Sequence, residues 1–102
     1  MILYNVTVNI DFDVEEEWKT WMRDIHIPEV LATGMFISHK FYKLLGEVPE
    51  ANGATYSIQY FAKDIGTINH YMENFAPALM QKHLQKYQGK HVSFRTILEE
   101  VG

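Results

Sequence analysis

The chain has no cysteine among its 102 residues. That excludes disulfides, thiolate nucleophiles and cysteine-held zinc or iron–sulfur centres, and it is compatible with any compartment. Positive charge is also scarce. Nine Lys and Arg stand against thirteen Asp and Glu, for a net charge of −4. Such a balance attracts neither a phosphate backbone nor an anionic membrane, so no nucleic-acid or membrane partner is expected. No apolar run approaches the ~20 residues that span a bilayer. The start, Met1-Ile2-Leu3-Tyr4-Asn5-Val6, has no basic region and runs directly into a strand pattern, unlike a signal peptide. A cytoplasmic protein is expected. Neither a Gly-x-Ser-x-Gly elbow nor a glycine-rich phosphate loop occurs. The histidines, His26, His39, His70, His83 and His91, include no pair at i, i+2 or i, i+4 spacing. No metal and no cofactor is expected from these patterns.

What is present is ordinary for one globular domain over residues 1–102: 47% hydrophobic and 22% charged residues. Four segments alternate between apolar and polar residues, the signature of strands with two unlike faces. In the first, over 2–10, Ile2, Tyr4, Val6, Val8 and Ile10 oppose Leu3, Asn5, Thr7 and Asn9. The second, over 35–45, sets Met35, Ile37, His39, Phe41, Lys43 and Leu45 against Phe36, Ser38, Lys40, Tyr42 and Leu44. The third, over 54–62, sets Tyr56, Ile58 and Tyr60 against Thr55, Ser57, Gln59 and Phe61. The fourth, over 91–98, sets Val92, Phe94, Thr96 and Leu98 against His91, Ser93, Arg95 and Ile97.

Two helical patterns separate the strands. Asp11 and Asp13 are candidate N-caps, Asp13 with Glu16 has capping-box spacing, and the acidic run Glu15-Glu16-Glu17 complements the helix dipole. Trp18, Trp21, Met22 and Ile25 form one apolar stripe. Pro28 lacks an N–H, so the helix should break at His26–Ile27 and resume as a short piece ended by Gly34. Gly46, Pro49 and Asn52-Gly53 form a turn cluster, too short for a parallel crossover, so strands two and three should pair as an antiparallel hairpin. Asp64 should cap the second helix, which carries Ile65, Ile68, Met72, Phe75 and Leu79, breaks near Asn74–Ala76 at Pro77 and ends by Gly89. The order is βαββαβ. It predicts an α+β, ferredoxin-like plait: a four-stranded antiparallel sheet ordered 4-1-3-2 with two kinked helices on one face.

The helices cover one sheet face. The other is expected to carry Asn5, Thr7, Asn9, Thr55, Ser57, Gln59, Ser93 and Arg95. A solvated face is more often rich in Lys and Glu. Small hydroxyls and amides suit a surface that is partly buried yet needs hydrogen bonds. The expected covering is a second copy of the sheet, giving a homodimer.

This arrangement resembles the dimeric α/β-barrel superfamily, in which two ferredoxin-like subunits pack sheet against sheet. More closely, the chain resembles a family of bacterial proteins of about this length, known only as a domain of unknown function. The residues that carry the resemblance are Tyr4-Asn5-Val6-Thr7-Val8-Asn9-Ile10, Trp18 and Trp21-Met22 leading to His26-Ile27-Pro28-Glu29-Val30-Leu31-Ala32-Thr33-Gly34, Gln59-Tyr60-Phe61 and Phe94-Arg95-Thr96. The superfamily includes small monooxygenases, haem-degrading enzymes and lactone isomerases. Some use a strand Asn with Trp and His or Arg, in a pocket between helices and sheet. Asn5 is similar to the first of these, but it faces away from the helices, and both Trp residues fit the helical core stripe.

Two sets of candidate site residues follow. His26, at a proline break and followed by Glu29, is the candidate catalytic base with Glu29 beside it; the alternative is a histidine that caps or packs the kink. Asn5, Thr7, Asn9, Gln59 and Arg95 are the candidate ligand-binding or interface set, since a guanidinium among amides binds a carboxylate or completes an interface cluster. The aromatics Tyr56, Tyr60 and Phe94 share parity with Ile58 and Val92 and read as core, which argues against RNA recognition in an acidic chain. Asp11-Phe12-Asp13 stands where an acylphosphatase has its glycine-rich loop. The leading reading is a small homodimeric protein that binds a small ligand or serves as an assembly module. The alternative is a cofactor-independent enzyme of monooxygenase or isomerase type, with His26 as base in a cavity near the proline breaks, close to His83 or Tyr60.

Overall fold

Pro28 and Pro77 decide where the helices break. A computed structural model describes residues 1–46 and 52–102. The elements in order are β1 (Ile2–Asp11), a 3-10 turn (Phe12–Val14), α1 (Glu15–Trp21), a π-helical turn (Met22–His26), α2 (Ile27–Ala32), β2 (Ser38–Lys43), β3 (Gly53–Ala62), α3 (Ile65–Asn74), α4 (Ala76–Lys86) and β4 (His91–Glu99). Proline removes the bond to the carbonyl four residues back and clashes with it. For Pro28 that carbonyl belongs to Asp24, inside the widened π turn. Pro77 sits in the first turn of α4, where its missing N–H costs nothing.

The sheet runs β2-β3-β1-β4 with every neighbouring pair antiparallel, the order expected from the sequence. Ile2, Tyr4, Val8 and Ile10 of β1 and Tyr56, Ile58 and Tyr60 of β3 face the helices and pack against Trp18, Met22, Ile68, Tyr71 and Leu79. Asp64 caps α3, accepting from the Thr67 backbone N–H at 2.8 Å. Gly34 and Gly89 reverse the chain at φ 78 and 75, where a side chain would be strained.

Several sequence expectations need correction. On β4 the register pairs Val6 with Arg95 and Val8 with Ser93. His91, Ser93, Arg95 and Ile97 therefore lie on the helix side, and Arg95 does not belong to the open face. Val92 and Phe94 lie on the open face, 72% and 60% exposed, and are not core. Alternation tells which residues share a face; only the pairing register tells which face it is. Ile25 is exposed because the π turn re-phases the helix by one residue. Ile65 is exposed as well, at the first position of α3. Neither Asp11 nor Asp13 makes a cap bond; Val14 precedes α1, and Asp13 instead takes Lys90 at 2.8 Å. β2 is shorter than its alternation, ending at Lys43. Pro49 of the expected turn lies outside the described residues.

Candidate functional site

A partly open chamber of about 30 Å³ lies between the helices and the β1–β3–β4 part of the sheet, enough for a water molecule. Its wall includes Tyr4, His26, Tyr60, Tyr71, His83 and Arg95. Beside it, a cleft of about 220 Å³ opens to the surface between α4 and β4, past Pro77, Gln81, Leu84 and His91. Met80, His83, Ser93 and Arg95 border both spaces and form the partition between them. The cleft exists because β4 is an edge strand whose helix side is only partly covered: Ile97 remains exposed on it.

Three imidazoles meet here. His83 of α4 is 7% exposed, and its Nε2 accepts a 2.9 Å hydrogen bond from Trp18 Nε1. That donor fixes the neutral tautomer with its proton on Nδ1. His26, at the end of the π turn, is 9% exposed and stacks on Trp21 at 4.8 Å and 22°. Its Nδ1 is buried with no hydrogen-bond partner. His91 packs edge-on against His83 at 4.5 Å, and its Nδ1 is likewise unpaired. Burial holds His26 down to about 4, Lys82 and Arg95 acting with it and Glu29 against it. Burial, then His91, His26 and Arg95, hold His83 down to about 3. Both are therefore neutral at pH 7, and burial, then Arg95, lowers His91 as well.

Arg95 is the fixed charge of the site. Its Nε donates to the Tyr4 hydroxyl at 3.1 Å. Among the described residues no carboxylate lies within ion-pair distance of it. Burial raises the Tyr4, Tyr60 and Tyr71 hydroxyls above the ordinary tyrosine value, so they too are uncharged. Arg95 is exposed, so water meets the rest of its fork, and an anion that displaced this water would gain a charge-assisted bond.

Of the residues singled out in the sequence, His26 and Arg95 come together. Glu29 does not join them: it pairs with Lys82 at 2.7 Å near the surface. Asn5, Thr7, Asn9 and Gln59 lie on the open face in a side-chain network, with Ser57 Oγ donating to Asn5 Oδ1 at 2.6 Å and Asn9 Nδ2 to Thr55 Oγ1 at 3.0 Å. Trp18 is fully buried in the core and Trp21 partly so. Tyr4, Tyr71 and His91 escaped sequence reasoning. The available signal was β4 itself, where one face is apolar and the other holds a His, a Ser and an Arg. Among the described residues no group of three or more His, Asp or Glu is placed to hold a metal ion. No helix described is long and apolar enough to cross a membrane.

No curated protein matches the chain by sequence. In fold it is similar to HapK from Hahella chejuensis, with TM-score 0.71 and 10% identity over 100% of this chain and 94% of that one. It is also similar to SnoaB, a cofactor-independent oxygenase from Streptomyces nogalater, with TM-score 0.65 and 9% identity over 97% and 92% of the two chains. A dimeric ferredoxin-like protein from an uncultured marine organism matches with TM-score 0.60 and 13% identity over 98% and 97%. At these identities the likeness is one of fold: α+β and ferredoxin-like. The model of one family, described as a domain of unknown function (DUF4286), matches residues 1–101, and the chain belongs to that family.

Proposed function

We propose that this is a small-ligand-binding protein whose chamber and adjoining cleft take a small organic anion. The observation that carries the reading is Arg95: a guanidinium with no carboxylate partner among the described residues, at the junction of a chamber and its opening. The two spaces together are smaller than the roughly 300 Å³ at the low end of ordinary ligand pockets, which favours a one-ring molecule. Met80 and Arg95, both long and flexible, are the groups that would swing to admit it. Calorimetric titration with benzoate tests the reading. Binding to the wild type with at least tenfold loss in Arg95→Met is the expected result, in line with the ~1.5–3 kcal/mol of a charge-assisted bond. Equal binding by Arg95→Met would overturn it.

The same proposal includes a homodimer through the open sheet face, in the cytoplasm of a bacterial cell. Val92 and Phe94 on β4, Tyr42 on β2 and Leu44 just beyond its end are exposed apolar groups flanking the central amides and hydroxyls. A second copy covers such a face and keeps its hydrogen bonds. Sedimentation velocity should find two chains for the wild type and one for Phe94→Asp. Arg95→Glu, now placed on the other face, should stay paired.

A second reading, a cofactor-independent enzyme, is favoured by one observation: the unpaired, buried Nδ1 of His26, a residue of the chamber wall. SnoaB, similar in fold, is a cofactor-independent oxygenase.

A further inference from the structure

We infer that the ligand of the chamber is a weak oxygen acid of the phenol or enol class, and that His26 takes its proton on binding so that it is held as the oxyanion against Arg95. The inference rests on the ligand-binding reading above and deepens it. Three observations carry it. First, His26 Nδ1 is buried without a partner, although buried polar atoms are nearly always satisfied. With the ring proton on Nε2, that nitrogen offers a free lone pair. Second, the ring is held by stacking on Trp21, so its plane is fixed before any ligand arrives. Third, Arg95 uses Nε on Tyr4 and shares the same chamber wall, which leaves the rest of its fork for an oxyanion.

The other imidazole of the chamber is unsuited to the task. Trp18 Nε1 occupies His83 Nε2, so a proton arriving there would meet a donor rather than a lone pair. Among the described residues the wall holds no carboxylate base, and Glu29 is turned to Lys82. His91, whose Nδ1 is also unpaired, lines the cleft and not the chamber, which leaves His26 as the acceptor of the chamber.

The step balances without any further reagent. The ligand O–H bond breaks, its proton passes to His26 Nδ1, and the bonding pair stays on the oxygen as the charge that Arg95 meets. An ion pair results where two neutral groups stood. The charged groups around His26 set the direction. Glu29 on the same helical segment favours the imidazolium; Lys82 of α4 and Arg95 of β4 oppose it. Neutral His83 of α4 sits 5.8 Å away, and the hydroxyls of Tyr4, Tyr60 and Tyr71 from β1, β3 and α3 carry no charge at neutral pH. An oxyanion at Arg95 cancels one of the two opposing charges, the one in the chamber wall, and so the proton transfer and the anion binding support each other.

The test uses 4-nitrophenol, whose anion absorbs in the visible while the neutral phenol does not. The wild-type protein is titrated with it across acidic pH, binding being followed separately by calorimetry. The expected result is phenolate colour in the complex at least one pH unit below its appearance in free solution, a tenfold or greater stabilisation of the anion. In His26→Gln the bound probe should stay colourless at that pH, and His26→Asn serves if the first variant misfolds. A probe that binds the wild type in its neutral form would overturn the inference and leave the binding reading standing. Colour that survives in a folded His26 variant would remove His26 from the role. Failure of 4-nitrophenol to bind while benzoate does would also overturn it; failure of both would sink the binding reading as well.

Discussion

Acid should unfold this protein through its buried histidines. His26 and His83 are neutral in the folded state, held by burial down to about 4 and about 3 from an ordinary 6.5. In the unfolded chain both return to the ordinary value. Below pH 6.5 the unfolded state therefore binds more protons than the folded one, and stability falls as pH falls. The loss begins near 6.5 and continues until each folded value is reached. One pH unit of such mismatch is worth about 1.4 kcal/mol per group, so each histidine removes about 2 kcal/mol by pH 5. Both groups are more than nine-tenths buried, so screening by solvent reduces this little. Together they should take about 4 kcal/mol, a large share of the 5–15 kcal/mol that holds a typical domain. The carboxylates held low, Asp13 by Lys90 and Glu15 by Tyr56 and Lys43, lose their contribution only below their own ordinary range, so the window from 7.5 to 5 isolates the histidines. Urea unfolding at pH 7.5, 6 and 5, followed by the fluorescence of buried Trp18 at one fixed protein concentration, measures the loss. A fall of less than about 1 kcal/mol across this window would refute the reasoning. So would an unchanged pH slope in a His26→Gln/His83→Gln double variant.

Three further outcomes follow from the same geometry. Trp18→Phe removes the donor to His83 and leaves a buried acceptor unmet, which should cost about 2–4 kcal/mol in urea unfolding; a cost under about 0.5 kcal/mol would mean that the bond does not form. Gly53→Ala places a Cβ against the Ile10 carbonyl where β1 and β3 pair, and should destabilise by roughly 1–3 kcal/mol although glycine in a strand is usually a weakness. Glu29→Gln breaks only a surface pair with Lys82, so stability should move by less than about 0.5 kcal/mol and benzoate affinity by less than about twofold; a tenfold loss of affinity would return Glu29 to the site.

The sequence carried the architecture because each element has a strong local cause. Period-two alternation in β1 and β3 named the core residues, since both are central strands with one face under the helices. Pro28 and Pro77 marked the breaks because a missing N–H is a local fact. The site was only half legible. His26 stood out through its proline neighbour, and Arg95 through being one of two arginines. Their meeting depended on the β1–β4 register, which no local pattern encodes. β4 has apolar residues on the face expected to be covered by the helices and polar ones on the other, and the pairing reverses that assignment. An edge strand next to a cleft and on a face proposed to pair with a second copy inverts the usual rule that apolar means core. Ile25 failed for a related reason: a π turn shifts the helical phase by a residue, and the i, i+3, i+4, i+7 template assumes it constant.

The most direct test of the chamber as a binding site is a benzoate titration of isotope-labelled protein followed through its backbone amide resonances. The account predicts shifts concentrated at His26, His83, Ser93 and Arg95, with Asn5, Thr7 and Gln59 on the open face unmoved. Shifts confined to the open face, or none at all at millimolar benzoate, would contradict it.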